Sequence, residues 1–352
     1  MKNILIISLL IVAPLLGHAS QNFTIMTYNV ENLFDNVHDK GKNDWTWLSL
    51  ETKENTPEAL KYCRSIEQSH YRRECFELDW NDEILNKKLK SLSEVILTPK
   101  NTRVPDVIVF EEVENKRILK ILVDKYLAKA GFKYISLLEG ADTRGIDIGV
   151  VSRFPVKSEK IHQINLAPHS SRTTRPILET VLNVYGREIT VFGNHWPSQG
   201  NVDATRLKAS SILKQKALAS KSDLVLAVGD FNTLPDDKPH GININILPIF
   251  EDVEVKARQI NKDLAPGTHW YRGHWDSLDK IFVLKRKNSK GIFTEYSSFE
   301  ILNHSFMLRD LIWTDFDTGT TYTDKNIPHR FNKITGEGFS DHLPVSINFK
   351  IY

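Results

Sequence analysis

Short apolar runs that end abruptly in polar residues recur along this chain. Each has about five residues and is rich in β-branched and aromatic side chains, which is typical of buried strands. The runs cover residues 23–28, 106–110, 146–151, 188–193, 224–228, 280–284 and 345–351. The regular return of this pattern over most of the chain predicts a protein with many buried strands.

Longer segments between these runs have the apolar spacing of helices. In the segment 82–97 the apolar residues are Ile84, Leu85, Leu89, Leu92, Val95 and Ile96. The segments 117–130 and 204–219 have similar spacing. Strands that alternate with helices indicate an α/β protein. In such folds ligands bind where strands end, so we expect the polar residues after the strands to meet at one rim.

The amino-terminal segment differs from the rest. A basic start, Met1-Lys2-Asn3, precedes an apolar stretch of about 13 residues and the small residues Gly17 and Ala19. This layout predicts a signal peptide over residues 1–19, cleaved near Ala19, with export to the periplasm or out of the cell. The alternative, a membrane anchor, is disfavoured because a spanning helix needs about 20 apolar residues. No later segment is apolar enough to span, so stable membrane insertion is not expected.

Residues 35–81 form a polar stretch without a clear period and contain both cysteines, Cys63 and Cys75. In an oxidising compartment we expect these to form a disulfide; free thiols are the alternative. We interpret the stretch as an insertion in a single domain spanning 20–352. Whether it covers the functional site or caps a sheet edge stays open at this stage. The net charge of +2 permits a polyanionic substrate but does not itself indicate one.

The candidate chemistry lies in the polar residues at the strand ends. Each is weak evidence alone, because a polar residue after a strand is usually a turn residue. Together they supply carboxylates, amides and two histidines, which core packing does not require. The set is Asn29, Glu112, Asp147, Asn194, His195, Asp230, Asn232, Asp279, Asp341 and His342.

This set suits hydrolysis of a phosphodiester. Carboxylate and amide oxygens hold hard cations, so Mg²⁺ is the expected cofactor, with Mn²⁺ or Ca²⁺ as alternatives. An Asp or His can deprotonate and orient the attacking water. Cys and His with zinc spacing are missing from the sequence, which favours a hard metal over zinc.

The same stretches resemble the endonuclease/exonuclease/phosphatase superfamily. The match rests on Thr27-Tyr28-Asn29-Val30, Phe110-Glu111-Glu112-Val113, Arg144-Gly145-Ile146-Asp147, Asn194-His195-Trp196, Gly229-Asp230-Phe231-Asn232, Ser277-Leu278-Asp279 and Ser340-Asp341-His342-Leu343-Pro344-Val345. They follow the family's order. The resemblance implies a four-layer α/β/β/α sandwich in which two packed mixed β-sheets are flanked by helices.

The resemblance also implies roles for the matching residues. Glu112 resembles the principal metal ligand, supported by Asn29 and Asp341. Asp230 and Asn232 resemble the pair that handles the attacking water and the phosphate, and Asp279 the residue that orients the catalytic His342. His195 resembles a second catalytic histidine, with Asp147 as its carboxylate partner. One departure is Glu111, where the family usually has Gln. An extra carboxylate near the site would favour metal binding, but we expect the Glu111 side chain to point away from the site.

Three residues are candidates for substrate binding: Asn194 of the set above and the two arginines Arg144 and Arg175. Guanidinium groups suit phosphate oxygens, although structural ion pairs explain the two arginines equally well. The leading functional hypothesis is a secreted, monomeric, Mg²⁺-dependent endonuclease acting on DNA, with RNA as a further candidate substrate. The alternatives are a phospholipid or sugar-phosphate phosphoesterase, like a sphingomyelinase, and a non-catalytic binding protein on the same fold.

Overall fold

The structure is a computed structural model that describes residues 20–285, 291–315 and 318–352. The predicted signal peptide, residues 1–19, lies outside the described residues. The strands are β1 (Gln21–Leu33), β2 (Val107–Val113), β3 (Tyr134–Ser136), β4 (Asp147–Ser152), β5 (Val156–His162), β6 (Ile177–Val184), β7 (Arg187–His195), β8 (Leu224–Asp230), β9 (Phe250–Asp252), β10 (His269–Tyr271), β11 (His274–Asp276), β12 (Asp279–Leu284), β13 (Ile292–Thr294), β14 (Glu300–Ile301), β15 (Leu308–Thr314), β16 (Thr321–Pro328) and β17 (Val345–Ile351). Each predicted apolar run lies largely within one of them.

The strands form two mixed sheets and two hairpins. The first sheet has the order β13-β17-β1-β2-β4-β3, with β14 also beside β17, and the second has the order β5-β6-β7-β8-β12-β9. In each sheet the central pair is parallel, β1 with β2 and β7 with β8. The strands that flank these pairs run antiparallel to them. Strands β10 and β11 form one hairpin, and β15 and β16 form the other.

The two sheets pack face to face. Strands β1, β2 and β4 of the first sheet contact β6, β7, β8 and β12 of the second. Gly193 lies at this contact, where an added Cβ would approach Ile148 Cγ2 to 2.7 Å. The facing side chains are buried, and apolar burial of this kind supplies most of the driving force for folding.

Helices cover the outer faces. They are α1 (Leu50–Glu54), α2 (Pro57–Ser65), α3 (Ser69–Glu77), α4 (Asp82–Leu97), α5 (Lys116–Ile121), α6 (Asp203–Ala219) and α7 (Val253–Ile260). Helices α4 and α5 share the core of the first sheet, and α6 packs on the second. The predicted helix over 117–130 is shorter than expected, because a π-turn at 122–126 follows α5. The predicted four-layer α/β/β/α sandwich is confirmed.

The segment 35–81 is largely helical and contains α1, α2 and α3. The expected disulfide joins Cys63 on α2 to Cys75 on α3. Lys53 is buried beside it and donates to Cys75 O at 2.8 Å, and it also donates to Leu78 O. These contacts tie the short helices to one another despite their lack of an apolar period. None of the helices that the structure describes is both long enough and apolar enough to cross a membrane.

Candidate active site

The candidate residues meet at one rim because of the strand directions. The parallel strands β1 and β2 end at the same edge as β7 and β8, and β12 and β17 begin there. Asn29 Nδ2 donates to Asp230 Oδ2 at 3.2 Å and so joins the two sheets. We call the following residues the rim cluster: Glu112, His195, Asp230, Asp279, Asp341 and His342.

Glu112 is placed by an irregularity in β2. The register with β4 shifts between Glu111 and Val113, and Glu112 has φ of +64°. This left-handed backbone is costly for a residue with a Cβ and is commonly found at functional sites. The Glu112 carboxylate accepts a hydrogen bond from the backbone N–H of Asn32 at 3.0 Å and lies 3.5 Å from Asn29 Nδ2. The bulge thus directs the side chain of Glu112 to the rim, where these contacts hold its carboxylate.

Asp230 is fully enclosed. Its carboxylate accepts from the backbone N–H of Asn232 at 2.8 Å and from Asn232 Nδ2 at 3.0 Å. The preceding Gly229 is required, because a Cβ there would lie 2.0 Å from Asn194 O. Burial raises the pKa of Asp230 to about 7, against the opposing charge of His342. A carboxyl with this pKa can accept a proton from water near neutral pH.

His342 is held by Asp279. His342 Nδ1 lies 2.7 Å from Asp279 Oδ2, and both side chains are buried. Burial alone would lower the pKa of His342, but Asp279, Asp230 and Asp341 outweigh it and hold this pKa well above its usual value. His342 is therefore a cation at neutral pH. Its Nδ1 faces Asp279, so its Nε2–H is the group that can donate a proton. This is the pairing that the resemblance implies.

His195 occupies the centre of the rim cluster. Its Nε2 lies 3.6 Å from Glu112 Oε1 and 3.6 Å from Asp230 Oδ2. Burial, with Arg175 and Arg144, holds the pKa of His195 well below its usual value, so the ring is neutral. The expected pairing of His195 with Asp147 is not formed: His195 Nδ1 and Asp147 Oδ2 are each buried without a hydrogen-bond partner. Asp147 instead accepts from the backbone N–H of Gly140 at 2.8 Å.

The three substrate-binding candidates differ in their surroundings. Arg144 is half exposed and forms an ion pair with Asp142 at 2.8 Å. Arg175 is buried and donates to Trp196 O at 2.9 Å, while its Nε has no partner. Asn194 is fully buried, and its amide bonds Phe192 O and Trp196 Nε1. Asn194 is therefore committed to holding the strand end, because burial and these bonds keep it from a ligand.

Asp341 is accompanied by residues that the sequence analysis did not select. The buried Glu31 accepts from the backbone N–H of Asp341 at 3.1 Å and also from Arg330. Arg330 Nη2 lies 3.8 Å from Asp341 Oδ2. Burial and Asp341 raise the pKa of Glu31 to about 7. Lys88 is buried nearby and donates to Phe339 O at 2.7 Å. Its position on the apolar stripe of α4 is a signal that could have identified it.

Glu111 is buried away from the cleft, whereas Asn29 contacts two carboxylates of the rim cluster. Glu111 is buried between the sheets and accepts from the Thr27 hydroxyl at 2.7 Å, and burial raises its pKa well above the usual value. Glu111 does not line the cleft described below. Asn29 presents Nδ2 to Glu112 and Asp230, while its Oδ1 accepts from the backbone N–H of Glu31 at 3.1 Å. Asn29 in this orientation positions the two carboxylates.

A cleft of about 840 Å³ opens onto the rim cluster. Asp341, His342 and Asn232 line its floor, and the hairpin β10–β11 contributes Trp270 and Tyr271. These aromatic residues are not core residues: Tyr271 is 59% exposed and Trp270 is partly exposed. The cleft therefore gives a substrate access to His342, and aromatic side chains line part of that path.

A second group of acids lies where the start of the segment 35–81 meets the end of β2. We call it the insertion cluster: Asp35, Asp39, Asp44 and Glu114. Among the residues that the structure describes, Asp39, Asp44 and Glu114 are the one group of three whose ligand atoms lie within 4.8 Å of one another. Arg117 forms ion pairs with Asp35 and Asp39. No histidine of the rim cluster belongs to this group.

Solved structures with this fold include distant relatives. An endonuclease/exonuclease/phosphatase family protein from Bacteroides thetaiotaomicron covers 95% of this chain and 100% of its own, with a TM-score of 0.53 and 13% identity. A humanised D. rerio TDP2 carrying 14 mutations covers 93% of this chain and 98% of its own, with a TM-score of 0.52 and 14% identity. ANGEL2, a 2′,3′-cyclic phosphatase, covers 94% and 95%, with a TM-score of 0.50 and 12% identity. At these identities the likeness shows the fold alone.

The family follows from the sequence as well. The model of the endonuclease/exonuclease/phosphatase family matches residues 64–350. A comparison with curated proteins finds no match. The chain therefore belongs to the endonuclease/exonuclease/phosphatase family, whose members hydrolyse phosphoester bonds and typically depend on a divalent metal. The fold agrees with that membership.

Proposed function

We propose that this protein is a Mg²⁺-dependent phosphodiesterase that acts as an endonuclease on DNA or RNA. The observation that carries the proposal is the pairing, at one rim, of Asp230 with a pKa near 7 and a cationic His342 held by Asp279. A base and an acid that titrate differently in one site are what hydrolysis of a diester requires. Glu112 stands beside them as a hard oxygen donor.

A divalent cation fits the residues at this rim. Burial, together with neighbouring carboxylates, raises the pKa values of both Asp230 and Glu31 to about 7, and a bound cation would offset the cost of ionising them. Asp279 Oδ1 is also buried without a partner. Glu112 and Asp341 would hold the cation, and Asn29 would orient Glu112. When bound, the cation supplies Lewis-acid stabilisation of charge on the phosphoryl oxygens.

The chain's own residues supply the proton transfers. Asp230 would take the proton of the attacking water, and Asn232, which bonds its carboxylate, would keep it aimed. His342 Nε2 would donate a proton to the phosphate or to the leaving oxygen, while Asp279 holds Nδ1. The neutral His195 would contact the phosphate from the centre of the rim cluster. Export of the mature protein is part of this proposal and rests on residues 1–19.

One observation favours a second candidate, a phospholipid phosphoesterase. The hairpin β15–β16 extends beside the cleft, and its Ile312 is 72% exposed. An exposed apolar residue on a projecting hairpin suits contact with a lipid surface. The neighbouring Thr314 and Thr321 are polar, however, so the apolar surface is small. A nucleic acid remains the better substrate for a cleft that Arg309 and Arg330 also line.

A substrate panel tests the proposal. Purified mature protein with Mg²⁺ should convert supercoiled plasmid DNA to nicked and linear forms, and EDTA should stop the reaction. RNA, sphingomyelin and sugar phosphates complete the panel. Release of phosphocholine from sphingomyelin without cleavage of DNA or RNA would replace the proposal with the second candidate. Equal activity with and without EDTA would contradict the proposed dependence on a divalent metal.

A further inference from the structure

Helix α3 of the segment 35–81 is fixed in place beside the cleft. The disulfide Cys63–Cys75 ties it to α2, and the buried Lys53 bonds the carbonyl of Cys75 at 2.8 Å. Trp80, just after α3, donates to Phe34 O at 3.1 Å and so attaches the segment to the chain that follows β1. Helix α3 is therefore presented rigidly.

Helix α3 presents Tyr71 to the cleft. Tyr71 is 53% exposed and lines the same cleft as Asn232, Asp341 and His342. Tyr271 of the hairpin β10–β11 lines it too. A tyrosine ring left half in water and attached to a braced helix is a poor core residue but a good stacking surface. The cleft thus offers aromatic faces near the rim cluster.

Positive charge accompanies these rings. Arg309 lines the cleft, and Arg73 of α3 lines an adjoining cavity of about 660 Å³ together with Arg330 and Lys333. Arg330 and Lys333 are paired with acids. Arg73 and Arg309 are exposed and form no ion pair with any residue that the structure describes. Unpaired arginines beside aromatic faces form a surface that suits a polynucleotide with unpaired bases.

We propose that α3 is a substrate-binding wall in which Tyr71 stacks on an unpaired base and Arg73 contacts a phosphate beyond the scissile one. The proposal rests on the proposed nuclease function and names its preferred substrate, a single strand. Duplex bases are already stacked on each other, so a tyrosine at the cleft discriminates between the two forms. Stacking on one aromatic side chain changes affinity roughly tenfold or more.

The test compares Tyr71→Ala with Tyr71→Trp. Each variant is assayed on a single-stranded oligonucleotide, on its duplex and on methyl p-nitrophenyl phosphate, which is too small to reach α3. For Tyr71→Ala the ratio of kcat/KM on the single strand to kcat/KM on the small diester should fall about tenfold. Tyr71→Trp should restore that ratio, and the duplex should be affected less.

Matched variants separate this role from general effects. Tyr352→Ala removes an equally exposed tyrosine far along the chain, and Arg64→Ala removes an exposed arginine of α2 as a control for Arg73→Ala. Both controls should keep the wild-type ratio, whereas Arg73→Ala should lower it severalfold. An unchanged ratio in Tyr71→Ala, or an equal fall on single strand and duplex, would overturn this inference alone. Failure of the wild-type protein to cleave any oligonucleotide would overturn it together with the proposed function.

Discussion

The rim cluster and the insertion cluster both bury several carboxylates, yet they differ in how those carboxylates are satisfied. In the insertion cluster Asp35 accepts from Arg117 and Val37, and Asn115 bonds both Asp35 and Asp39. Glu114 accepts from the backbone N–H of Asp35 at 2.8 Å. These acids have donors supplied by their own chain.

In the rim cluster this compensation is incomplete, although Asp230 accepts from Asn232 and Asp279 from His342. Asp279 Oδ1 and His195 Nδ1 are buried without partners, and Arg330 Nη2 approaches Asp341 Oδ2 only to 3.8 Å. A native structure keeps unsatisfied buried groups rarely, and they need a reason. The comparison teaches that burial of acids alone does not indicate a site. Buried polar atoms that have no hydrogen-bond partner in the protein and lie beside a cleft indicate a place where a ligand can supply the missing partner.

Removal of His342 or Asp230 is expected to have the largest effect. His342→Ala and Asp230→Asn should each lower kcat on plasmid DNA by about 10²–10⁴-fold, because each removes a group that transfers a proton. Nicking kinetics in Mg²⁺ and circular dichroism of the folded variants provide the measurement. Asp44→Asn in the insertion cluster is the matched control, and it should keep kcat within a few-fold. If Asp44→Asn were as inactive as His342→Ala, the distinction between the clusters would fail.

The position of the rim cluster could be predicted because it depends on strand ends. His195 and Asp230 end strands that the apolar runs identify, and Asp341 and His342 precede another. Asn29 follows the apolar run 23–28 but lies inside β1, which continues to Leu33. Parallel central pairs then bring these ends together. Any sequence in which polar residues follow buried strands carries this information locally.

Other features depend on contacts that sequence spacing does not encode. The left-handed backbone of Glu112 results from a register shift against β4. The expected bond between Asp147 and His195 fails because Asp147 turns to the backbone of Gly140. The helices of 35–81 are too short to show an apolar period, and their packing relies on a disulfide and on Lys53. Such features arise from tertiary packing, which overrides local pattern.

Loss of Arg117 is expected to have an intermediate effect, on stability only. Arg117→Ala leaves the carboxylate of Asp35, which is 3% exposed, without its cation. Breaking a buried pair in this way costs several kcal/mol, and the 45% exposure of Arg117 reduces the expected loss to about 2 kcal/mol. Urea unfolding measures it, with Arg64→Ala as a control that should shift stability by less than about 0.5 kcal/mol. A loss of kcat in folded Arg117→Ala would contradict a purely structural insertion cluster.

Glu114→Gln is expected to have the smallest effect at pH 5, and its effect on the free energy of unfolding should grow as the pH rises. Burial and Asp35 raise the pKa of Glu114 to about 10 in the folded protein. An unfolded glutamate titrates near 4.3, so the wild-type fold loses stability as pH rises from about 4.3 towards 10. Gln can still accept from the backbone of Asp35 and does not titrate. From pH 5 to pH 8 the stability of Glu114→Gln should therefore rise relative to the wild type by up to about 4 kcal/mol in urea unfolding, at about 1.4 kcal/mol per pH unit.

The exposed Glu58→Gln on α2 is the control for Glu114→Gln and should change stability equally little at both pH values. The informative opposite result is a wild type that is more stable than Glu114→Gln at pH 8, with the difference growing when Ca²⁺ or Mg²⁺ is added. That result would mean that a cation, rather than Arg117 and Asn115 alone, balances Asp39, Asp44 and Glu114. The insertion cluster, in which His38 bonds Asp44, would then resemble the rim cluster in needing a ligand. The two would differ in His342 and Asp230, the acid and base that give the rim its proposed chemistry.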